Sequence, residues 1–154
     1  MTENPTCERD LPALPPILPD LFQALDASGQ RQGLVGAHCS SCGKHFFPAP
    51  DVCPDCLGPV QRCVFGERGR IYSFTVVRTR APFGLPEPYG VGYVDLDDVP
   101  LRVFALFDPA ALERLDIGAA VVLKAMPLGR NRSGGACLRP VYCLVGDTSE
   151  ESQP

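Results

Sequence analysis

The sequence predicts a mainly β chain: an N-terminal helix, a four-cysteine metal knot, and then a five-stranded barrel. Three observations predict it. The 154 residues include 15 glycines and 17 prolines, a share that suits short strands joined by tight turns rather than a helical bundle. Two C-x-x-C pairs, Cys39/Cys42 and Cys53/Cys56, stand ten residues apart. Beyond them, runs rich in β-branched and aromatic residues alternate with turn residues.

In chain order, residues 1–17 carry four prolines and read as a flexible arm. Leu18, Leu21, Phe22 and Leu25 then recur at helical spacing, with Asp20 placed as a cap and Gly29 as a stop, so a helix is expected within residues 18–35. A helix this short is unstable alone, and its apolar stripe must dock on this chain or on a partner. Residues 36–65 form the metal knot and residues 66–146 the barrel. The tail, DTSEESQP from Asp147 to Pro154, is polar and expected to be disordered.

The knot is HCSSCGKHFFPAPDVCPDC, residues 38–56. A two-residue spacer lets one tight turn aim both sulfurs of a pair at a single point. Gly43 follows one pair, and Pro54 and Asp55 lie inside the other. Cys39, Cys42, Cys53 and Cys56 together supply the four thiolates of a tetrahedral zinc site. Four protein ligands leave no open position for water or substrate, so the site is expected to be structural, with its binding free energy appearing as folding free energy. Iron in a rubredoxin-type site is the alternative; an iron protein would be red and a zinc protein colourless. His38 and His45 flank the knot and read as ordinary polar residues of a zinc ribbon. Cys7, Cys63, Cys137 and Cys143 read as small hydrophobes or inert thiols.

The barrel strands follow. RIYSFTVVR (Arg70–Arg78), YGVGYVDL (Tyr89–Leu96) and LRVFALF (Leu101–Phe107) come first. DPAALERLDIG then reads as a short helix with Asp108 as cap, Pro109 at its first position and Gly118 beyond its end. AVVLKAM (Ala120–Met126) and CLRPVYCLV (Cys137–Val145) complete the set. Three strands, a helix and two strands is the chain order of an OB-fold barrel, whose closure hides apolar strand edges. Its two long connections, Thr79–Pro88 and Pro127–Ala136, are expected to flank the ligand face.

Composition removes several function classes. The formal net charge is −4, the reverse of what phosphate-neutralising nucleic-acid binders show. A zinc ribbon joined to an OB-fold still leaves a nucleic-acid module as the alternative function. No run of 18 apolar residues is present, so no membrane span is expected. The first twenty residues mix acids and prolines where a signal peptide needs a basic start and an apolar block, which points to the cytoplasm. Reducing conditions there favour metal-bound over disulfide-bonded cysteines.

The chain resembles a known family, the acyl-CoA-associated OB-fold proteins with a rubredoxin-like zinc ribbon that partner thiolase-type enzymes. The matching residues are C-S-S-C-G (Cys39–Gly43), F-P-A-P (Phe47–Pro50), C-P-D-C (Cys53–Cys56), G-R-I-Y-S-F-T-V-V (Gly69–Val77), P-Y-G-V-G-Y-V-D-L (Pro88–Leu96), D-I-G (Asp116–Gly118) and R-P (Arg139, Pro140). His38 and Phe65 depart from the family's usual residues. The resemblance covers about residues 18–145. It implies a small subunit with no active site of its own, which binds a thiolase-like catalytic subunit and helps enclose an acyl-CoA thioester. The nearest setting in that family is thiolysis of benzoylsuccinyl-CoA during anaerobic toluene degradation.

Toward such a ligand the residues offer walls and cations. Arg78 and Arg80 sit beside the first long loop, Arg130 and Arg132 in the second, and all four are candidates for the CoA phosphates. Ser133–Ala136 is glycine-rich enough for a close backbone approach. Phe83, Leu85, Pro86 and Tyr89 form an apolar loop suited to a tunnel lip or a contact surface. Solvated loop arginines and a loop folded back on the barrel are the plain readings of the same residues.

Overall fold

The computed structural model describes residues 14–146. Among the described residues there are nine strands: β1 (Phe22–Ala24), β2 (Gln32–Cys39), β3 (His45–Phe46), β4 (Val60–Phe65), β5 (Arg68–Val77), β6 (Tyr89–Leu96), β7 (Arg102–Phe107), β8 (Ala120–Arg130) and β9 (Ala136–Leu144). They form a four-stranded ribbon sheet, in which β2 pairs with β1, β3 and β4, and a closed barrel in the order β5-β6-β7-β9-β8. That order, with every neighbour antiparallel except the short β7–β9 pair, is the OB-fold.

The helix expected within residues 18–35 does not form; β1 and β2 occupy that stretch as a hairpin. Pro19 brings no amide hydrogen to a helix, and Asp20, expected as a cap, turns the chain at φ 58°. Across the hairpin the Leu25 amide donates to the Arg31 carbonyl at 2.8 Å, and the turn is knitted by Asp26, whose carboxylate accepts from Ser28 Oγ at 2.9 Å. Gly36 settles the matter from the other side. A Cβ there would collide with the Phe65 ring and the Phe46 carbonyl, so β2 is shaped to lie pressed between β3 and β4. The second expected helix appears as a single 3-10 segment, Pro109–Arg114, with the Asp108 carboxylate accepting from the Ala110 amide at 2.9 Å.

The arm expected over residues 1–17 ends in structure rather than solvent. The Ile17 amide donates to the Leu138 carbonyl at 2.8 Å and the Leu138 amide to the Pro15 carbonyl at 2.9 Å. Pro16 thereby lies parallel to β9, on the edge that β7 joins further along at Leu106 and Phe107. The rest of that arm, Cys7 included, and the tail from Asp147 lie outside the described residues.

Ribbon and barrel share one hydrophobic core. Leu34 of β2 and Phe65 of β4 pack in the same cluster as Ile71, Val94, Phe107, Leu123 and Tyr142 of the barrel. The joint between them is Gly66, buried, at φ 79°. Its amide donates to both oxygens of Asp98 at 3.1 Å, and its carbonyl accepts from the Tyr142 hydroxyl at 2.6 Å. Beside it Arg31 and Glu67 form a two-pronged pair, 2.7 and 2.8 Å, from ribbon to barrel.

Candidate metal centre and ligand cleft

The two C-x-x-C turns fold alike. In each, the amide of the residue after the second cysteine donates to the carbonyl of the first: Gly43 to Cys39 at 2.8 Å and Leu57 to Cys53 at 2.9 Å. That closure puts Gly43 at φ 74° and Leu57 at φ 61°. Glycine adopts this conformation freely, whereas leucine is strained in it. The turns bring Cys39, Cys42, Cys53 and Cys56 together, with all four sulfurs within 4.8 Å of one another. Cys39 and Cys56 lie 3.5 Å apart, Cys42 and Cys53 3.6 Å. A zinc tetrahedron with bonds of about 2.3 Å has sulfur–sulfur edges of about 3.8 Å, so the donor set fits the ion.

Amides in the first turn are aimed at sulfur. The Cys42 amide, helped by that of Ser41, holds the Cys39 thiol down at about 6. Amides of Lys44 and Gly58 act the same way on Cys42 and Cys56, but burial and neighbouring sulfurs push those two thiols up. Cys39 and Cys53 are fully buried while Cys42 and Cys56 face outward, and Lys44 pairs with Asp55 to tie one turn to the other. Zinc held here supplies cross-linking of the two turns. His38 and His45 lie opposite each other on β2 and β3 with ring centroids 4.7 Å apart, and neither joins the sulfur set. Burial, then the carboxylate of Asp98, pushes the Cys63 thiol up, the reverse of an activated nucleophile.

Between ribbon, barrel and N-terminal segment lies an apolar cleft of about 470 Å³. It exists because β7 and β9 pair only at Leu106–Val141 and Phe107–Tyr142, and the strands part where Pro16 takes the β9 edge. Leu18, Leu34, Phe47, Leu85, Val103 and Tyr142 contribute to its walls. The loop residues Leu85 and Tyr89 therefore fold back to line the cleft, while Phe83 is left 60% exposed at φ 54°. The one charged side chain among the described lining residues is Arg139.

The four arginines read as phosphate contacts do not converge on one place. Arg130 ends β8, two residues from Arg132, and packs beneath the first loop at Gly84. Arg78 lies in a separate cleft with Pro88, Glu87, Glu113 and Arg114. Arg80 is exposed and lines neither cleft. The two long connections do meet, through Phe83–Gly84 on Gly129–Arg130. The glycine-rich turn does not offer free amides, however. Ser133 and Gly135 donate to the Asn131 side-chain oxygen at 3.0 Å, and Gly134 to its carbonyl at 3.0 Å. Asn131 makes a self-contained turn of the segment expected to cradle phosphate. Arg139 is marked in the sequence as the one charge inside the apolar run CLRPVYCLV.

Comparison with known proteins agrees with this architecture. Residues 26–61 match the family described as the ChsH2 rubredoxin-like zinc ribbon domain, and residues 64–125 match the ChsH2 C-terminal OB-fold domain. The chain is 38% identical over 93 residues to the benzoylsuccinyl-CoA thiolase subunit BbsA of Thauera aromatica, covering 60% of this chain and 62% of that protein. It is 38% identical over 72 residues to a DUF35 domain-containing scaffold protein of Methanothermobacter thermautotrophicus, covering 45% and 54%. Less than two thirds of each relative's length is therefore spanned. Among solved structures, the Ltp2–ChsH2(DUF35) aldolase superposes with a TM-score of 0.57 at 23% identity, over 73% of this chain and 84% of that one, a likeness of fold. The chain thus carries a ChsH2-type zinc ribbon domain followed by a ChsH2-type OB-fold domain.

Proposed function

We propose that the chain is a small accessory subunit of a thiolase-type acyl-CoA enzyme, which binds a thiolase-like catalytic subunit and helps enclose the CoA thioester. The observation that carries this is the closed sulfur set: the clustered thiols converge on one point and are spent on a structural metal, so the chain's conspicuous chemistry serves its fold. The identity to a benzoylsuccinyl-CoA thiolase subunit supports a thiolase-like partner. The finer reading is thiolysis of benzoylsuccinyl-CoA in anaerobic toluene degradation, in the cytoplasm, and the same identity supports it. Carbon–carbon cleavage of a thioester needs a nucleophile, a base and an oxyanion pocket, which fall to the partner.

Toward CoA, Arg130 and Arg132 are the better placed of the four candidate cations. They stand where the two loops meet, and neither makes an ion pair among the described residues. Arg78 and Arg80 would reach phosphates only along the other side of the first loop. The test is to co-express the chain with a thiolase-like subunit, purify the complex and assay CoA-dependent cleavage. Activity of the complex and none of the chain alone supports the reading; thioester cleavage by the isolated chain refutes it. Unchanged CoA affinity in an Arg130→Ala/Arg132→Ala complex removes the cation assignment alone.

One observation favours a second reading, a nucleic-acid module. Tyr93 of β6 and Phe104 of β7 are cross-strand partners, 44% and 61% exposed, with ring centroids 5.3 Å apart. Exposed aromatics on those OB-fold strands suit base stacking. Binding of single-stranded oligonucleotides that weakens steeply with salt would establish it.

A further inference from the structure

We infer that the apolar cleft is a ligand site in its own right, and that it takes an amphipathic monoanion: an apolar ring or chain ending in a carboxylate, anchored by Arg139. The assignment does not rest on the accessory-subunit reading, since it needs no partner chain.

The charge at the cleft is out of balance. Arg139 is half-buried on β9, in a wall otherwise built largely of leucine, valine, proline and aromatic side chains. No carboxylate pairs with it among the described residues. Its position is nevertheless fixed: Nε donates to the Leu128 carbonyl and an Nη to the Arg130 carbonyl, both at 3.0 Å. Those two bonds use part of a guanidinium that carries five N–H donors. Neutral carbonyls orient the cation without cancelling its charge. A partly desolvated cation held rigid beside an apolar cavity favours an anion that can reach it.

The rest of the cleft sets the body of that ligand. At about 470 Å³ it falls in the range of small-molecule sites, which are mostly apolar with a few placed polar groups. Phe83 stands over the Arg139 guanidinium at 6.0 Å, so the anionic end lies at the rim under the first loop. The apolar end points inward, toward Leu34, Val103 and Tyr142. A free phosphate would leave this interior unused, and a neutral hydrocarbon would leave the cation unpaired. The chemistry matches an apolar ring or chain that ends in a free carboxylate.

The test uses the full zinc-loaded chain and two probes of nearly equal shape, 4-phenylbutanoate and 4-phenylbutan-1-ol, in calorimetric titrations. The acid is expected to bind about tenfold more tightly than the alcohol. Arg139→Gln should erase that preference and Arg139→Lys should restore part of it. Ala105→Leu, which fills the cleft from β7 and leaves Arg139 alone, should abolish binding of both probes. Should Arg139→Gln fail to fold, the unaltered chain and Ala105→Leu decide the matter. No binding, equal binding of acid and alcohol, or binding that survives the filled cleft overturns the assignment.

Discussion

Tyr142→Phe removes one oxygen atom from the joint between ribbon and barrel and leaves the ring in place. Tyr142 is 2% exposed, and its hydroxyl donates to the Gly66 carbonyl at 2.6 Å across 76 residues of sequence. Gly66 is buried as well, so the substitution strands a carbonyl that water reaches poorly. An unsatisfied buried acceptor costs about 1–3 kcal/mol, more than the bond itself contributes. For a chain of this length that is a fall in Tm of about 2–12 °C, at 2–4 °C per kcal/mol. Burial also pushes the phenol's pKa well above its ordinary value of 10, so the bond persists through neutral and alkaline pH. The neutral form is favoured in the folded state, hence its contribution is full below pH 10 and is lost only above it. Guanidinium denaturation at pH 7 measures the effect, with Tyr93→Phe, on an exposed residue, as the control expected to change stability by less than about 0.5 kcal/mol. If Tyr142→Phe falls within that same margin, Gly66 is not the clamp described here.

Three further outcomes follow from the same contacts. Stripping the metal with a strong chelator, or Cys42→Ser, should lower one cooperative thermal transition, because Leu34 and Phe65 share the barrel's core; calorimetry that splits into an early ribbon melt and an unchanged barrel melt refutes the shared core. Gly92→Ala should destabilise by about 1–3 kcal/mol, since its Cβ would meet the Ser73 carbonyl and lie 2.7 Å from Phe74 Cα, whereas Gly135→Ala, with only Asn131 at 3.7 Å, should be near neutral by denaturant titration. Glu67→Gln should cost less than about 1 kcal/mol at pH 7. The Arg31 guanidinium holds the Glu67 carboxyl below its ordinary 4.5, so the pair's contribution is present above 4.5 and fades as pH falls through the lowered value; melts of both forms should converge in acid.

Spacing carried what depends on local geometry. Two C-x-x-C pairs and their turn residues are enough to place four sulfurs together, and β6 begins and ends at Tyr89 and Leu96 as its alternating pattern implies. What depends on distant partners was not legible. Leu18, Leu21, Phe22 and Leu25 have helical spacing, yet Leu21 and Phe22 answer to β2: the Leu21 carbonyl accepts from the Val35 amide at 2.9 Å, and Phe22 pairs with Leu34. Leu18 turns instead to the cleft. The second long connection shrank because β8 runs on to Arg130 through an irregularity between Pro127 and Arg130, which no propensity announces. Arg78 and Arg130 flank loops that meet, but Arg78 goes to the separate cleft beside Glu113 while Arg130 packs beneath the first loop at Gly84.

The same contacts show why a metal with no open coordination position still bears on ligand binding. Cys39 ends β2, and β2 carries Leu34, which is both a member of the barrel's core and part of the cleft wall. Phe47, just past the first sulfur pair, forms another part of that wall. A ribbon held by zinc thus fixes two of the surfaces an apolar ligand would touch, although none of the four sulfurs is among the residues that line the cleft. The remaining walls come from the barrel and from the N-terminal segment pinned to Leu138. Ribbon, barrel and strap therefore contribute to one cavity that none of them could form alone. The metal-stapled ribbon thereby supplies one rigid wall of the cleft from a segment too short to fold around a core of its own.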